Sequence, residues 1–197
     1  MTTDHTLRDL AREAVRQEVL RHAWKLFAVQ GFEATTIDQV AEAAGMSRRT
    51  FFRYFTGKDE LIVEQLVEAG ERVAAELAAR PAAEGAWTAL REAFGVVVEA
   101  AEAHAEQSRA LRIMLRDEAG VRGSLEEWRR RWTELLVPLV VGRLPAGPAT
   151  AIGVRAEAVA ASALACLDAA QSAWAEDPAS SLSGLVDEAM RAVAPLD

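Results

Sequence analysis

Between residues 31 and 59, signals that end a helix alternate with signals that begin one, too closely for anything but short helices joined by tight turns. Gly31 ends a first helix. Thr36 followed by Gln39 is a capping box, in which the hydroxyl accepts from the N–H three residues on and the amide side chain reaches back. Gly45 supplies the left-handed backbone that closes a helix. Ser47 is a cap for the next one. Thr56 and Asp59 make a further capping pair at the start of a long helix. These signals agree with one another and with the apolar spacing. They predict helices over about 8–29, 37–44, 48–54 and 57–79. In the first, Val15, Val19, Ala23 and Phe27 lie four apart as one apolar stripe.

The remainder continues as helix. RPAAEG at 80–85 is a break, followed by helical patterns over about 84–101, 103–117 and 121–144. PAGPA at 145–149 is a loop. A long alanine-rich helix over about 150–175 ends near Asp177-Pro178, and Ser181 caps a last one through about 193. Long stretches of Ala with Leu, Glu and Arg favour helix, and there is no alternating strand pattern and no internal repeat. The expected fold is all-α, about nine helices, with a small N-terminal three-helix domain over 1–56 and a larger helical domain over 57–197.

The net charge of −8 argues at first against nucleic acid, but it is unevenly distributed. Residues 1–60 hold nine basic and nine acidic side chains, whereas 61–197 hold 13 and 21 and carry the whole excess. A neutral segment binds phosphates when its arginines share a face, because local potential matters more than the total. The lone cysteine, Cys166, excludes an internal disulfide and fits a reducing compartment. No apolar run is expected to reach the ~20 residues that span a bilayer, and MTTDHTLRDL lacks a secretory core. A cytoplasmic location and no membrane partner are expected.

Chemistry concentrates in residues 35–55, TTIDQVAEAAGMSRRTFFRYF: two short helices, a tight turn, and two arginines opening the second helix. That is the layout of a helix-turn-helix, which sets one helix in the DNA major groove. Ile37, Val40, Ala41 and Ala44 cover one side of the earlier helix. Ala41 is small where two helices cross, and Met46 plugs the space between them. Phe51 and Phe55, four apart, face that core. Arg48, Arg49, Phe52 and Arg53 are left more exposed, with Tyr54 on a flank. Arginine forks onto guanine O6 and N7 or pairs with phosphate, and the sequence leaves open which each one does. Lys58, near the start of the fourth helix, is placed to grip a phosphate with that helix end. The plainer alternative is a helical hairpin with solvated arginines.

Residues 31–62, GFEATTIDQVAEAAGMSRRTFFRYFTGKDELI, resemble the N-terminal signature of the TetR family of bacterial transcriptional regulators. The resemblance rests on Gly31-Phe32, Thr35-Thr36, Ile37, Val40-Ala41, Ala44-Gly45, Ser47, Thr50, Tyr54-Phe55, Lys58 and Leu61. With the first helix it covers a quarter to a third of the chain. It implies a homodimer on a near-palindromic double-stranded DNA operator, joined through the last two helices, with a ligand cavity in the larger domain. It makes 48–54 the recognition helix, with Arg48, Arg49 and Thr50 nearest the DNA, and Tyr54 and Lys58 at backbone-contacting positions. Phe52 departs from the family's frequent tyrosine and loses a hydroxyl.

The larger domain is less explicit. Trp128 and Trp132 share a helix face and, with Phe94, Leu111, Met114 and Trp174, are candidates for an apolar cavity, to which His104, Gln107 and Arg112 add polar groups. Core packing is the alternative for each tryptophan. Arg129-Arg130-Arg131 and the stack of Glu99, Glu102 and Glu106 read as solvated faces. His5, His22 and His104 are too scattered for a metal site, and no cofactor, phosphate loop or nucleophile motif is present, so an enzyme is not expected. The leading expectation is a repressor released from DNA by a small apolar or aromatic ligand. The alternatives are a constitutive regulator or activator of the same fold, and a helical protein–protein interaction module without DNA binding.

Overall fold

The computed structural model describes residues 7–117 and 122–196, with side chains except over 122–125. Among the described residues all regular structure is helical: α1 (Leu7–Gln30), α2 (Ile37–Ala43), α3 (Arg48–Phe51), α4 (Lys58–Ala79), α5 (Ala86–Ala93), α6 (Gly95–Ala103), α7 (Ala105–Asp117), α8 (Arg122–Val141), α9 (Ala149–Glu176) and α10 (Leu182–Val193). His5 and the expected helix start at 121 lie outside the described residues.

Most boundaries follow the sequence signals. Thr36 and Gln39 form the reciprocal capping box, and the Ser47 and Ser181 hydroxyls accept from Thr50 and Gly184 N–H. Gly31 and Gly45 take φ of 83° and 67°, the region L side chains avoid. Three expectations are corrected. The third helix is α-helical only to Phe51, because the bonds then tighten to three residues back, Arg53 to Thr50 and Tyr54 to Phe51. The start of α4 is not capped by Asp59; Glu60 instead accepts from the N–H and hydroxyl of Thr56 at 2.6 and 2.8 Å. The expected helix over 84–101 is two helices, divided at Phe94–Gly95, which makes ten in all among the described residues.

Two separate clusters of buried side chains hold the chain together. The first joins Val19, Leu20, Ala23 and Phe27 of α1 to Val40 and Ala41 of α2 and to Phe51 and Phe55. It also takes Leu61 and Ile62 from α4 and Met114 and Leu115 from α7, so it is not closed at residue 56. The second fills the larger body between α4, α5, α6, α8, α9 and α10. There α4 and α8 approach so closely that a Cβ on Gly70 would lie 2.5 Å from the Trp132 indole nitrogen. That nitrogen donates to the Leu66 carbonyl at 2.7 Å.

α9 overturns one expectation drawn from the sequence. Its 28 residues are long and apolar enough, by length and composition alone, to cross a membrane. Much of that apolarity is alanine, and α9 buries one face, including Ala156, Ala160, Leu164, Leu167 and Trp174, in the body's core. Glu102 is likewise more than a solvated side chain: it accepts from the N–H of Leu182 at 2.8 Å and so caps α10.

Candidate nucleic-acid interface and adjoining cavity

The two short helices are fixed from below. Phe51 and Phe55 are fully buried with ring centres 5.4 Å apart. Val40 and Ala41 are buried beneath α3, and Met46 N–H donates to the Ala41 carbonyl, drawing the turn tight. Ala44 and Met46 pack partly buried at the edge of this core. The residues left outward are Arg48, Arg49, Phe52 and Arg53, as the helical spacing implied; Thr50 and Tyr54 are half-buried.

The arginines are not equivalent. Arg48 pairs with Asp38 of α2 at 3.0 Å and lies 5.6 Å from the Phe52 ring centre. Among the described residues Arg49 and Arg53 have no ion-pair partner. Thr50 shares a 2.9 Å hydrogen bond with Ser47. Lys58 is already engaged: its ammonium donates to the carbonyls of Phe32 and Glu33 at 2.8 and 3.4 Å and stands 4.4 Å from the Phe32 ring centre. It thus holds α4 to the turn between α1 and α2.

Sequence reasoning missed Arg16. Its Nε donates to Glu64 at 2.8 Å, and its other nitrogens reach Glu64, Glu60 and the Tyr54 carbonyl. Its guanidinium also lies 4.5 Å from the Phe55 ring centre. One side chain therefore ties α1 to both the end of the recognition segment and α4. Burial disfavours the charge of Glu60, but hydrogen bonds from Thr56 and the nearby Arg16 outweigh it and hold the carboxyl below its usual range. An arginine beside Gln17 and Glu18 on α1 carries no signal of three distant partners.

Behind this unit lies a cavity of about 910 Å³. Its walls come from α1, α4, α6, α7, α8, α9 and the first residue of α10, so it touches α1, on which the two short helices rest, and the body at once. His104, Gln107, Leu111, Arg112, Trp128 and Trp174 border it; Phe94, Met114 and Trp132 do not. Phe94 fills the body's core, Met114 the first core, and Trp132 is committed to Gly70 and Leu66. Spacing on one helix cannot distinguish two tryptophans whose rings, 5.3 Å apart, meet different neighbours. The wall from α1, including Gln17, Arg21 and Trp24, was also not anticipated.

Among the described residues no group of three or more His, Cys, Asp or Glu could hold a metal ion. The family described as "Bacterial regulatory proteins, tetR family" matches residues 19–64. The HTH-type transcriptional regulator TcmR of Streptomyces glaucescens is 38% identical over 92 residues, 47% of this chain and 41% of that protein. The HTH-type transcriptional repressor AcnR of Corynebacterium efficiens is 37% identical over 59 residues, 30% and 31% of the two chains. The chain thus aligns with well under half the length of these curated relatives. Over the whole chain the likeness is one of fold. A putative TetR-family regulator from Syntrophomonas wolfei superposes with a TM-score of 0.69 at 17% identity, covering 91% of this chain and 92% of that one. Thermus thermophilus FadR, a TetR-family transcriptional repressor solved with lauroyl-CoA, gives 0.57 at 24% identity, covering 89% and 91%.

Proposed function

We propose that this chain, whose residues 19–64 belong to the tetR family of bacterial regulatory proteins, is a sequence-specific DNA-binding repressor released from its operator by a small molecule held in the cavity. The observation that carries the reading is the cavity's position. α1 supplies one wall of it and, through Arg16, holds the recognition segment. A molecule lodged there touches the unit that reads DNA. It regulates by binding the DNA-incompetent arrangement more tightly, since equal affinity for both shifts nothing.

In this reading the DNA-binding unit spans 1–56 and the body 57–197, although the first core borrows from α4 and α7. Arg48, Arg49 and Thr50 contact bases and phosphates, with Phe52, Arg53 and Tyr54 on the flank. Lys58 acts on DNA mainly by holding α4 in place. The protein works as a homodimer through α9 and α10 on a near-palindromic site. In support, α9 leaves an exposed stripe of Ala151, Val154, Ala158, Ala161, Ala165, Ala169 and Ala173, one helical turn apart at each step. Small residues permit close helix approach. Leu164, Leu167, Leu182 and Val186 are instead spent inside the protomer.

Two measurements test this. In gel shifts on an operator selected from random DNA, Arg48→Ala with Arg49→Ala is expected to abolish preference over random DNA, each lost bidentate contact costing roughly 1–3 kcal/mol. Light scattering at micromolar concentration should give twice 21.3 kDa. A monomer, or an undiminished preference in the double variant, overturns the reading.

A further inference from the structure

Among the described residues, Phe52 is the one phenylalanine, tryptophan or tyrosine that is exposed, at 45%. The other phenylalanines lie in the two cores: Phe27, Phe32, Phe51 and Phe55 in the first and Phe94 in the second. A lone exposed apolar side chain is ordinary; the surroundings set this one apart. The backbone is still helical at Phe52, with φ −66° and ψ −5°, and its N–H donates to the Arg48 carbonyl at 3.2 Å. Phe52 therefore stands one turn along from Arg48 on the same outward face.

The ring is also held. It lies 5.6 Å from the Arg48 guanidinium and meets Phe51 edge-on, with ring centres 5.5 Å apart and planes at 87°. Phe51 is fully buried, and Arg48 pairs with Asp38 of α2 at 3.0 Å, so both supports are themselves anchored. Arg49 and Arg53, on the same short segment, are exposed as well. Three arginines suit this face to a polyanion. A phenyl ring has no donor for a phosphate, and covering one with it would strip water from the charge without replacing the lost hydrogen bonds. Among the base edges of the major groove, the apolar group is the thymine 5-methyl, a known partner of phenylalanine.

We propose that Phe52 is a specificity-determining residue that reads thymine: on DNA its ring covers the 5-methyl group of one thymine in each half-site, beside the contacts made by the arginines. This rests on the DNA-binding reading above and gives a base-reading role to a side chain placed there on the flank. The contact requires no hydrogen bond from Phe52 and leaves the arginine nitrogens free for guanine or phosphate. Its selectivity comes from the methyl group, which in unmodified DNA only thymine carries.

The test uses the full chain and the operator it selects from random DNA. Each thymine is replaced in turn by deoxyuridine, which removes the methyl group and keeps the O4 acceptor and the pairing edge. Binding is titrated by gel shift at one fixed salt, because affinity for DNA depends on it. At one thymine or more in each half-site, the natural protein should bind about fourfold more weakly, the worth of one buried methyl group. Phe52→Ala should bind the thymine and deoxyuridine operators equally, with Phe52→Gln as a second variant should alanine fold poorly. Phe52→Tyr, which keeps the ring, should retain the sensitivity. An operator without thymine in its half-sites, or one on which no replacement weakens the natural protein, overturns the methyl contact and spares the DNA-binding reading. Undiminished sensitivity in Phe52→Ala or Phe52→Gln assigns the methyl group to another side chain and also overturns it. If no DNA is selected over random sequence, both fall.

Discussion

Arg16 on α1 donates through Nε to Glu64 on α4 at 2.8 Å while also reaching the carbonyl of Tyr54. The recognition segment is thus fastened to the same side chain that joins α1 to the long helix leading into the body. Both carboxylate and guanidinium are largely sheltered, with side-chain exposures of 23% and 16%, so the pair is less screened than a surface one. Arg16→Met should lower unfolding stability by about 1–3 kcal/mol, because Glu64 keeps a sheltered charge without its partner. The variant should also bind cognate and random DNA more weakly. Combining it with Glu64→Gln should cost less than the sum of the two single changes, measured by urea unfolding. Full additivity would mean the two side chains do not act together.

Lys58 offers a sharper discrimination. If its role is to hold α4 against the Phe32 and Glu33 carbonyls, Lys58→Met should lose about 1–2 kcal/mol of stability without any DNA present. A lysine that served only a phosphate would leave the free protein's melting temperature unchanged.

Glu60 gives the acid dependence a sign. Its folded carboxyl titrates below the ordinary value of 4.5, so its contribution is complete above that value and is lost as pH falls through the lower folded one. Melting temperature followed from pH 6 down to pH 3 should fall more steeply for the natural protein than for Glu60→Gln. Parallel curves would remove Glu60 from the account.

The approach of α4 to α8 leaves no room at Gly70. Alanine at an exposed helix position gains about 1 kcal/mol over glycine. Here the added methyl group must displace the Trp132 ring from its bond to Leu66, and overpacking typically costs about 1–3 kcal/mol. Gly70→Ala should therefore be net destabilising by urea denaturation, whereas Gly153→Ala, with open space at its Cβ, should be neutral or stabilising.

The helix-turn-helix was legible because its determinants are local. Thr36, Gln39, Gly45 and Ser47 act on backbone groups within a few residues of themselves, so their meaning survives without a tertiary fold. The same holds for the outward set Arg48, Arg49, Phe52 and Arg53, which the 3.6-residue period separates from Phe51 and Phe55. The cap of α4 failed for a related reason: Asp59 and Glu60 are both acceptors near a helix start, and only the final path of the chain at Gly57 decided between them.

The amino-acid sequence by itself determined the helices, the turn and the basic face, since short-range hydrogen bonding and periodicity are properties of neighbouring residues. Tertiary structure alone decided that Trp128 borders a cavity while Trp132 is stapled to Leu66, that Arg16 joins three segments, and that Asp168 of α9 draws in Arg112 of α7 and Arg129 of α8. Those relations unite residues tens of positions apart. Their energies depend on burial and mutual distance, and neither quantity exists until the chain has packed.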